Sequence, residues 1–244
     1  MSDHYDETVA AHYAAYRPPL HLPILKRALT GTERFAYGLD VGCGTGRSSV
    51  ALAHFCERVA AVDPSQAMID GATFHSSISY SLGSAECLPP LDDAVDVVTF
   101  AGSLFYADLN RTVEELCRIC RPTTLVVPYD FRLCLDDVLH SFGMTKLAVS
   151  SNYNPAVNFS GIVAFKEMLV QHDHIELSVS PVDVAHILLA DRARHDAFVD
   201  RYRTESPLLP LASDLGSDRE TITICAEIYF SVYQPDYSSG ELTE

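Results

Sequence analysis

The stretch GLDVGCGTGRSSVAL, from Gly38 to Leu52, decides the fold. A short apolar run leads into it, glycines stand at Gly42, Gly44 and Gly46, and a run typical of a helix follows. A loop almost without side chains, between a strand and the start of a helix, exposes backbone N–H groups that can hold a polar ligand. The stretch therefore predicts a strand, a ligand-binding turn and a helix, in that order.

Runs typical of strands alternate with runs typical of helices through the first half of the chain. Near-continuous apolar strands that alternate with helices are typical of a parallel sheet covered on both faces. We predict an α/β fold with a doubly wound, mostly parallel seven-stranded sheet, an antiparallel last strand and helices on both faces. The first five strands are expected at 35–41, 58–63, 78–83, 95–101 and 124–131, and the helices between them at 46–55, 65–73 and 109–120.

The pattern changes after residue 131. Helices are predicted at 134–142 and near 162–171, a strand at 175–180, and a long helix from 182 to about 203. The run TITICAEIYFSVYQ, residues 221–234, alternates apolar and polar residues like a strand with one buried face. Because this alternation differs from the apolar strands before it, we interpret it as an antiparallel addition at the end of the sheet.

Composition favours a protein that acts on small molecules. The 244 residues carry 17 Lys and Arg against 33 Asp and Glu, a formal net charge of −16 at pH 7. Such a surface repels phosphate backbones and anionic lipids, so no nucleic-acid or membrane partner is predicted. No signal-peptide core and no apolar run of about 20 residues is visible, and seven scattered cysteines suit reduced thiols. We therefore expect a cytoplasmic monomer or homodimer without a metal site.

The spacing of the glycines argues against a nicotinamide or flavin dinucleotide. The dinucleotide fingerprint G-x-G-x-x-G needs a third small residue at the position where Arg47 stands. Asp63 ends the second predicted strand, 19 residues after Gly44, where a carboxylate suits two ribose hydroxyls. A glycine loop with a ribose-binding acid, but without the spacing for a pyrophosphate, points to a nucleoside cofactor that lacks phosphates.

Four motifs, in the expected order, resemble the class I S-adenosylmethionine-dependent methyltransferases. They are LDVGCGTG at 39–46, AVDPSQAMI at 61–69, GSAECLP at 83–89 and DVVTFAGSLFYAD at 96–108. The run YAAYRPP at 13–19 is similar to the opening of the trans-aconitate-methyltransferase-like branch, which acts on small molecules. The resemblance implies S-adenosylmethionine as cofactor, S-adenosylhomocysteine as product and a small-molecule acceptor.

The resemblance also implies a role for each matching position. Asp40 would orient the loop and help to hold the amino group of the cofactor, and Asp63 would accept from both ribose hydroxyls. Arg17 could pair with the methionine carboxylate, and Met68 would pack on the adenine. The other expected contacts come from small or loop residues: Gly42 and Gly44 beside the methionine portion, Ser84, Ala85 and Glu86 at the adenine edge, and Ala101, Gly102 and Ser103 at the sulfonium end.

The acceptor side departs from the pattern of that branch. A His-Trp pair is common after the fourth strand, where this chain has Leu104, Phe105 and Tyr106. We predict Phe105 and Tyr106 as acceptor contacts, with the segment 151–159 covering them, although packing is the favoured interpretation for Tyr106, Tyr129 and Tyr153 taken singly. No arrangement of His, Asp or Lys indicates a general base, so no catalytic residue is named.

We predict a single methyltransferase-like domain over 1–244. Its parts are expected to be an N-terminal helical lid at 1–34, a cofactor-binding core at 35–134, a helical cap or insertion at 135–220, a final antiparallel strand at 221–234 and a loose tail at 235–244. Aromatic rings and a cation in front of a Pro pair, HYAAYRPP at 12–19, suit a lid that closes over a bound ligand.

Two other functions stay open. The first is a protein that binds S-adenosylmethionine without catalysis, as a partner or regulator. The second is a nicotinamide oxidoreductase on a similar sheet, which Arg47 and the lack of a Tyr-x-x-x-Lys pair disfavour. Turnover of labelled cofactor with a panel of acceptors distinguishes the first of these from an enzyme.

Overall fold

The structure is a computed structural model that describes residues 2–31, 33–89, 95–144, 153–216 and 220–238. Residues 151 and 152 of the predicted covering segment, and residues 239–244 of the predicted tail, lie outside these ranges. The chain clusters into two compact units. The helical unit comprises Met1–Pro19, Leu133–Ser151 and His174–Glu227, and the sheet unit comprises Leu20–Arg132, Asn152–Asp173 and Ile228–Glu244.

A seven-stranded sheet forms as predicted. Its strands are β1 Phe35–Val41, β2 Cys56–Asp63, β3 Ile78–Leu82, β4 Val95–Ala101, β5 Cys120–Cys134, β6 Phe165–Val179 and β7 Ile222–Pro235. Their order across the sheet is β3-β2-β1-β4-β5-β7-β6. The first five strands pair in parallel, and the last strand, β7, is antiparallel. The predicted fold class is therefore confirmed.

Helices alternate with the parallel strands, again as predicted. They are α1 Ser2–Ala15, α2 His21–Ala28, α3 Arg47–Ala53, α4 Gln66–Asp70, α5 Leu109–Ile119, α6 Asp136–Ser141, α7 Pro181–Leu189, α8 Arg192–Tyr202 and α9 Leu208–Asp214, and a 3₁₀ turn lies at Leu104–Tyr106. Local sequence explains several starts, since Ser65, Asp108 and Ser180 each cap a helix by accepting a backbone N–H. None of the helices in the described ranges has the length and apolar surface that crossing a bilayer demands.

The prediction of a helix near 162–171 is wrong, because the strand β6 begins at Phe165. This run contains helix formers such as Lys166, Glu167 and Met168, which favour a helix when read locally. Pairing with β7 at the edge of the sheet supplies the backbone hydrogen bonds and holds the run extended instead. The segment predicted as a helical cap at 135–220 consequently includes a strand of 15 residues.

The long helix predicted from 182 to about 203 is two helices. Asp191 ends the continuity, because its side chain accepts from the backbone N–H of Arg194 at 3.0 Å and so caps α8. The Arg194 side chain donates to the carbonyls of Leu188 and Ile187, at 3.0 and 3.3 Å, which are among the last carbonyls of α7. Capping of both ends therefore stabilises the break.

Aromatic packing anchors the segment that follows residue 153 in the sheet unit. Phe159 is 1% exposed, and its ring lies 5.9 Å from the Phe100 ring on β4, 5.1 Å from Phe165 and 5.8 Å from Tyr233. Full burial of a side chain of this size contributes about 1.5–3 kcal/mol to stability. The chain just before Phe159 is thereby held close to the end of β4.

Three histidines meet in the helical unit. Nδ1 of His12 on α1 lies 2.9 Å from Nδ1 of His186 on α7, and the His12 and His195 rings are 5.8 Å apart. Burial, followed by the proximity of His186 and His195, lowers the pKa of His12 from 6.5 to about 4. Burial also lowers the pKa of His195. Both shifts favour the neutral imidazole form of His12 and His195.

Acidification is expected to destabilise the helical unit. Because the folded state holds His12 neutral down to about pH 4, the unfolded chain binds more protons below pH 6.5. The stabilisation is complete above pH 6.5 and is lost as the pH falls through about 4. Thermal unfolding between pH 7 and pH 4 should show a smaller loss in His12→Gln than in the unchanged protein. Equal losses in both proteins would exclude His12 as the titrating group.

Candidate functional site

All three glycines of the loop after β1 have a left-handed backbone, with φ of 72° at Gly42, 53° at Gly44 and 86° at Gly46. A Cβ at Gly42 would lie 2.3 Å from Cβ of Ser103, and one at Gly46 would lie 2.2 Å from the Tyr80 hydroxyl oxygen. A Cβ at Gly44 would meet nothing within 4 Å. Gly42 and Gly46 thus permit close packing, whereas Gly44 borders open space that a ligand can occupy.

Asp63, at the carboxyl end of β2, holds this loop. Its Oδ2 accepts from the backbone N–H of Gly44 at 2.8 Å, and its Oδ1 accepts from the N–H of Ser65 at 2.9 Å. The residue is only 8% exposed. Each carboxylate oxygen retains capacity for a further hydrogen bond, so the predicted contacts with two ribose hydroxyls suit this geometry. Asp63 is thereby placed directly beside the open space at Gly44.

Asp40 is fully buried beneath the same loop. Its Oδ2 accepts from the hydroxyls of Ser48 at 2.6 Å and Ser49 at 2.7 Å, and its Oδ1 accepts from Thr99 at 2.8 Å. Burial raises the pKa of Asp40, although the three hydroxyl hydrogen bonds oppose that rise. These bonds join β1, β4 and the first turn of α3, which fits the predicted orienting role. The predicted contact with the cofactor amino group stays a prediction.

Residues expected at the adenine lie on α4 and on the loop after β3, both in the sheet unit. Met68, on α4, is 45% exposed, and Ala85 is buried. Glu86 accepts from the backbone N–H of Asp108 at 2.8 Å. Burial opposes its ionisation, but the hydrogen bonds from Asp108 N–H and the Ser84 hydroxyl lower the pKa of Glu86. The carboxylate is therefore held ionised and in a defined position, as recognition of an amino group requires.

Arg17 belongs to the helical unit. Its guanidinium carbon lies 4.1 Å above the centre of the Tyr13 ring, a cation–π contact within that unit. Its predicted pairing with the methionine carboxylate stays a prediction.

The residues expected at the sulfonium end connect the glycine loop to a hollow. Ser103 donates from its hydroxyl to the Val41 carbonyl, and it is the residue that a Cβ at Gly42 would meet. The adjoining Gly102 lines an open hollow that we call the strand-end hollow. It lies where β4 ends, since Ala101 pairs with Tyr129 of β5. Its walls include Gly102, Phe105, Pro128, Asp130, Tyr153 and Val157.

The Phe105 and Tyr153 rings line this hollow, and the Tyr106 ring packs against both of them. The Tyr153 ring lies 4.9 Å from Phe105 and 5.8 Å from Tyr106, and the Phe105 and Tyr106 rings are 5.3 Å apart. Phe105 is half-buried, whereas Tyr106 is 77% exposed. The structure therefore brings both predicted acceptor contacts together with the described part of the predicted covering segment.

Sequence reasoning missed Asp130 and the role of Tyr153. The Tyr153 hydroxyl donates to Asp130 and lies 3.4 Å from the Gly102 carbonyl oxygen. Asp130 also accepts from the backbone N–H of Phe131 at 2.8 Å. A signal for Asp130 existed, because it is the first acid after the apolar run TLVVPY, the same pattern that identified Asp63. For Tyr153 no local signal distinguishes a site residue from a packing residue.

Tyr129, next to Asp130, serves the core. It is 4% exposed, and its hydroxyl lies 3.2 Å from Nδ1 of His21. Burial, with the charges of Asp40 and Asp130, raises the pKa of Tyr129 well above 10. The Tyr129 hydroxyl therefore stays neutral, and the side chain packs in the core with a hydrogen bond to His21, in agreement with the packing interpretation.

A family profile for the methyltransferase domain matches residues 39–127. An uncharacterized methyltransferase of Mycobacterium bovis is 36% identical over 86 residues, 34% of this chain and 35% of that protein. The O-methyltransferase resE of Aspergillus sclerotiorum is 32% identical over 107 residues, 40% of each chain. The chain thus spans less than half the length of the curated relatives it matches.

Similarity of structure extends much further along the chain. A protein from Anaeromyxobacter dehalogenans, described as a type II methyltransferase, superposes with a TM-score of 0.63 at 25% identity. The superposition covers 90% of this chain and 98% of that one. The matched domain, the sheet order and the four motifs agree with one another. Together they support the class I S-adenosylmethionine-dependent methyltransferase that the motifs predict, with S-adenosylmethionine as cofactor.

Proposed function

We propose that the protein transfers a methyl group from S-adenosylmethionine to a small-molecule acceptor bound in the strand-end hollow. The observation that carries the proposal is the continuity of the two sites. Gly44 borders open space beside Asp63, and Ser103, packed against Gly42, is adjacent to Gly102 in the wall of the hollow. A cofactor in the first site would therefore direct its sulfonium end toward an acceptor in the second.

The residues present fit the cofactor. Gly44 leaves the space that a side chain would fill, Asp63 offers carboxylate oxygens for ribose, and Glu86 offers one for the adenine edge. When bound, S-adenosylmethionine supplies an electrophilic methyl group on a positively charged sulfur. Phe105 and Tyr106 present aromatic faces, which stabilise a cation and exclude water. The contribution of the protein is mainly to align donor and acceptor in one line.

Charge and size support a small acceptor rather than a nucleic acid. The net charge of −16 repels phosphate backbones. The hollow is small, with a volume of about 10 Å³, and the Tyr153 and Phe105 rings in its wall are in contact, with their centres 4.9 Å apart. The similar Aspergillus protein is an O-methyltransferase by name, which favours an oxygen acceptor.

Calorimetry with S-adenosylmethionine, S-adenosylhomocysteine and NAD⁺ tests the cofactor half of the proposal. The first two should bind and NAD⁺ should not. Transfer from cofactor with a labelled methyl group, followed by mass spectrometry of an acceptor panel, tests the catalytic half. Binding of NAD⁺ alone would overturn the proposal, and cofactor binding without transfer to any acceptor would favour the non-catalytic binding protein.

Tyr106→Ala is expected to lower turnover at least tenfold, a rise of more than about 1.4 kcal/mol in the activation free energy. The affinity for the cofactor should change less than about threefold, which corresponds to less than about 1 kcal/mol. The reason is that Tyr106 stacks on Tyr153 in the wall of the hollow, and its 77% exposure leaves little packing to lose. Phe74→Ala is a matched control, because Phe74 is a 90% exposed aromatic residue that is not part of the lining of the hollow. Full activity of a folded Tyr106→Ala variant would show that the acceptor binds elsewhere.

A further inference from the structure

The strand-end hollow has one charged wall residue among the described residues that line it, Asp130. The other walls are aromatic, aliphatic or proline side chains, with one amide from Asn154. A carboxylate in such surroundings repels anions and accepts hydrogen bonds from neutral donors. The hollow therefore disfavours a carboxylate acceptor and favours a neutral one that carries a hydroxyl group.

Asp130 is held close to the predicted sulfonium end. Its Oδ1 accepts from the N–H of Phe131, and Oδ1 lies 3.1 Å from the point where a Cβ at Gly102 would stand. Gly102 has a φ of 70°, a left-handed backbone conformation that glycine adopts more easily than any residue with a side chain. The absence of that side chain permits the carboxylate to approach the backbone beside Ser103.

The protein already presents a phenol to this carboxylate. The Tyr153 hydroxyl donates to Asp130 while its ring packs on Phe105 and Tyr106. An aromatic hydroxyl compound can make the same two kinds of contact, with its ring against the aromatic wall and its O–H directed at Asp130. Because the Tyr153 side chain occupies this place, such a compound would bind to Asp130 in exchange for the Tyr153 hydroxyl.

Building on the proposed function, we propose that the acceptor is a neutral aromatic hydroxyl compound and that Asp130 accepts its proton. As the bond between the acceptor oxygen and the methyl carbon forms, the bond between that carbon and sulfur breaks, and its electron pair stays on sulfur. The acceptor O–H proton passes to a carboxylate oxygen of Asp130 and then to solvent. The products are an aryl methyl ether, S-adenosylhomocysteine and one proton.

The ligand class is tested by binding to the full chain saturated with S-adenosylhomocysteine. The probes are 4-ethylphenol and 2-naphthol, each matched with a carboxylate of the same shape, 4-ethylbenzoate and 2-naphthoate. At least one phenol should bind about tenfold or more tighter than its carboxylate, and Asp130→Asn should reduce that preference. Tighter binding of the carboxylates, or binding of neither phenol, would overturn the inference.

The role of Asp130 is tested by the rate of methyl transfer to the phenol that binds. Asp130→Asn should lower the rate about 100-fold at neutral pH, a typical contribution of a general base. In that variant only phenol that is already ionised reacts, so the rate should rise about tenfold per pH unit below the pKa of the phenol. Asp137→Asn, an exposed carboxylate on α6, is the matched control and should leave the rate unchanged.

The experiments can contradict this inference without contradicting the proposed function. Cofactor binding with methyl transfer to carboxylates, or a pH profile of Asp130→Asn that parallels the unchanged protein, would overturn the phenol and base assignments alone. Failure to bind S-adenosylmethionine would overturn the proposed function, and this inference with it.

Discussion

Asp63→Ala is expected to weaken the binding of S-adenosylmethionine by about 2–4 kcal/mol, because the charge-assisted hydrogen bonds from the ribose hydroxyls are lost. The variant also removes the acceptor of the Gly44 N–H, at 2.8 Å, and of the Ser65 N–H, at 2.9 Å. The glycine loop then loses the hydrogen bond that joins Gly44 to the end of β2. Calorimetry measures the loss of affinity, and circular dichroism checks that the variant is folded.

Cofactor analogues separate the two effects of this substitution. An S-adenosylhomocysteine analogue without the 2′-hydroxyl should bind the unchanged protein more weakly than the parent compound, but should bind Asp63→Ala about as well as the parent does. Asp70→Ala is the control, because Asp70 is an exposed carboxylate that pairs with Gln66 at the end of α4. An unchanged dissociation constant in folded Asp63→Ala would remove Asp63 from the site.

Asp40→Ala is expected to lower the free energy of unfolding by about 2–4 kcal/mol. Three buried hydroxyls, on Ser48, Ser49 and Thr99, lose their common acceptor, and leaving buried donors without one costs about 1–3 kcal/mol each. Removing a carboxylate whose burial disfavours its charge offsets part of this loss. For a chain of this size, the melting temperature should fall by about 5–15 °C.

Asp40→Asn is the matched variant for this prediction. It keeps the shape and one acceptor oxygen, which can still accept from Ser48 and Ser49, and it removes the cost of burying a charge. Its loss of stability should therefore be clearly smaller than that of Asp40→Ala. Equal losses in the two variants would show that charge, rather than the supply of acceptors, makes Asp40 important.

Local sequence patterns were sufficient to predict the cofactor-binding part of the molecule. The order of strand, glycine loop and helix at 38–52 appears in one continuous stretch, and Asp63 follows directly from the end of the next apolar strand. The parallel core, the antiparallel last strand and the family were all predicted from such stretches and are confirmed. These features depend on backbone conformation and apolar periodicity, which neighbouring residues specify.

Partners that are distant in the chain decided the rest. The first part of β6 is a strand because it pairs with β7, although residues 165–171 read locally favour a helix, whereas the strand predicted at 175–180 does overlap the end of β6. The break in the helix predicted over 182–203 is instead a local feature, because Asp191 caps α8 and Arg194 donates to the last carbonyls of α7.

By itself, the sequence determined the sheet, the glycine loop and the cofactor, because each is specified by spacing within a short run. Only the tertiary structure decided that Tyr153 meets Asp130, 23 residues away in the chain, beside Gly102 just after the end of β4. Phe159 brings that segment to the hollow by burying its ring against Phe100, Phe165 and Tyr233. Such contacts follow from the burial of side chains against distant partners, and no local periodicity encodes which partner each side chain finds.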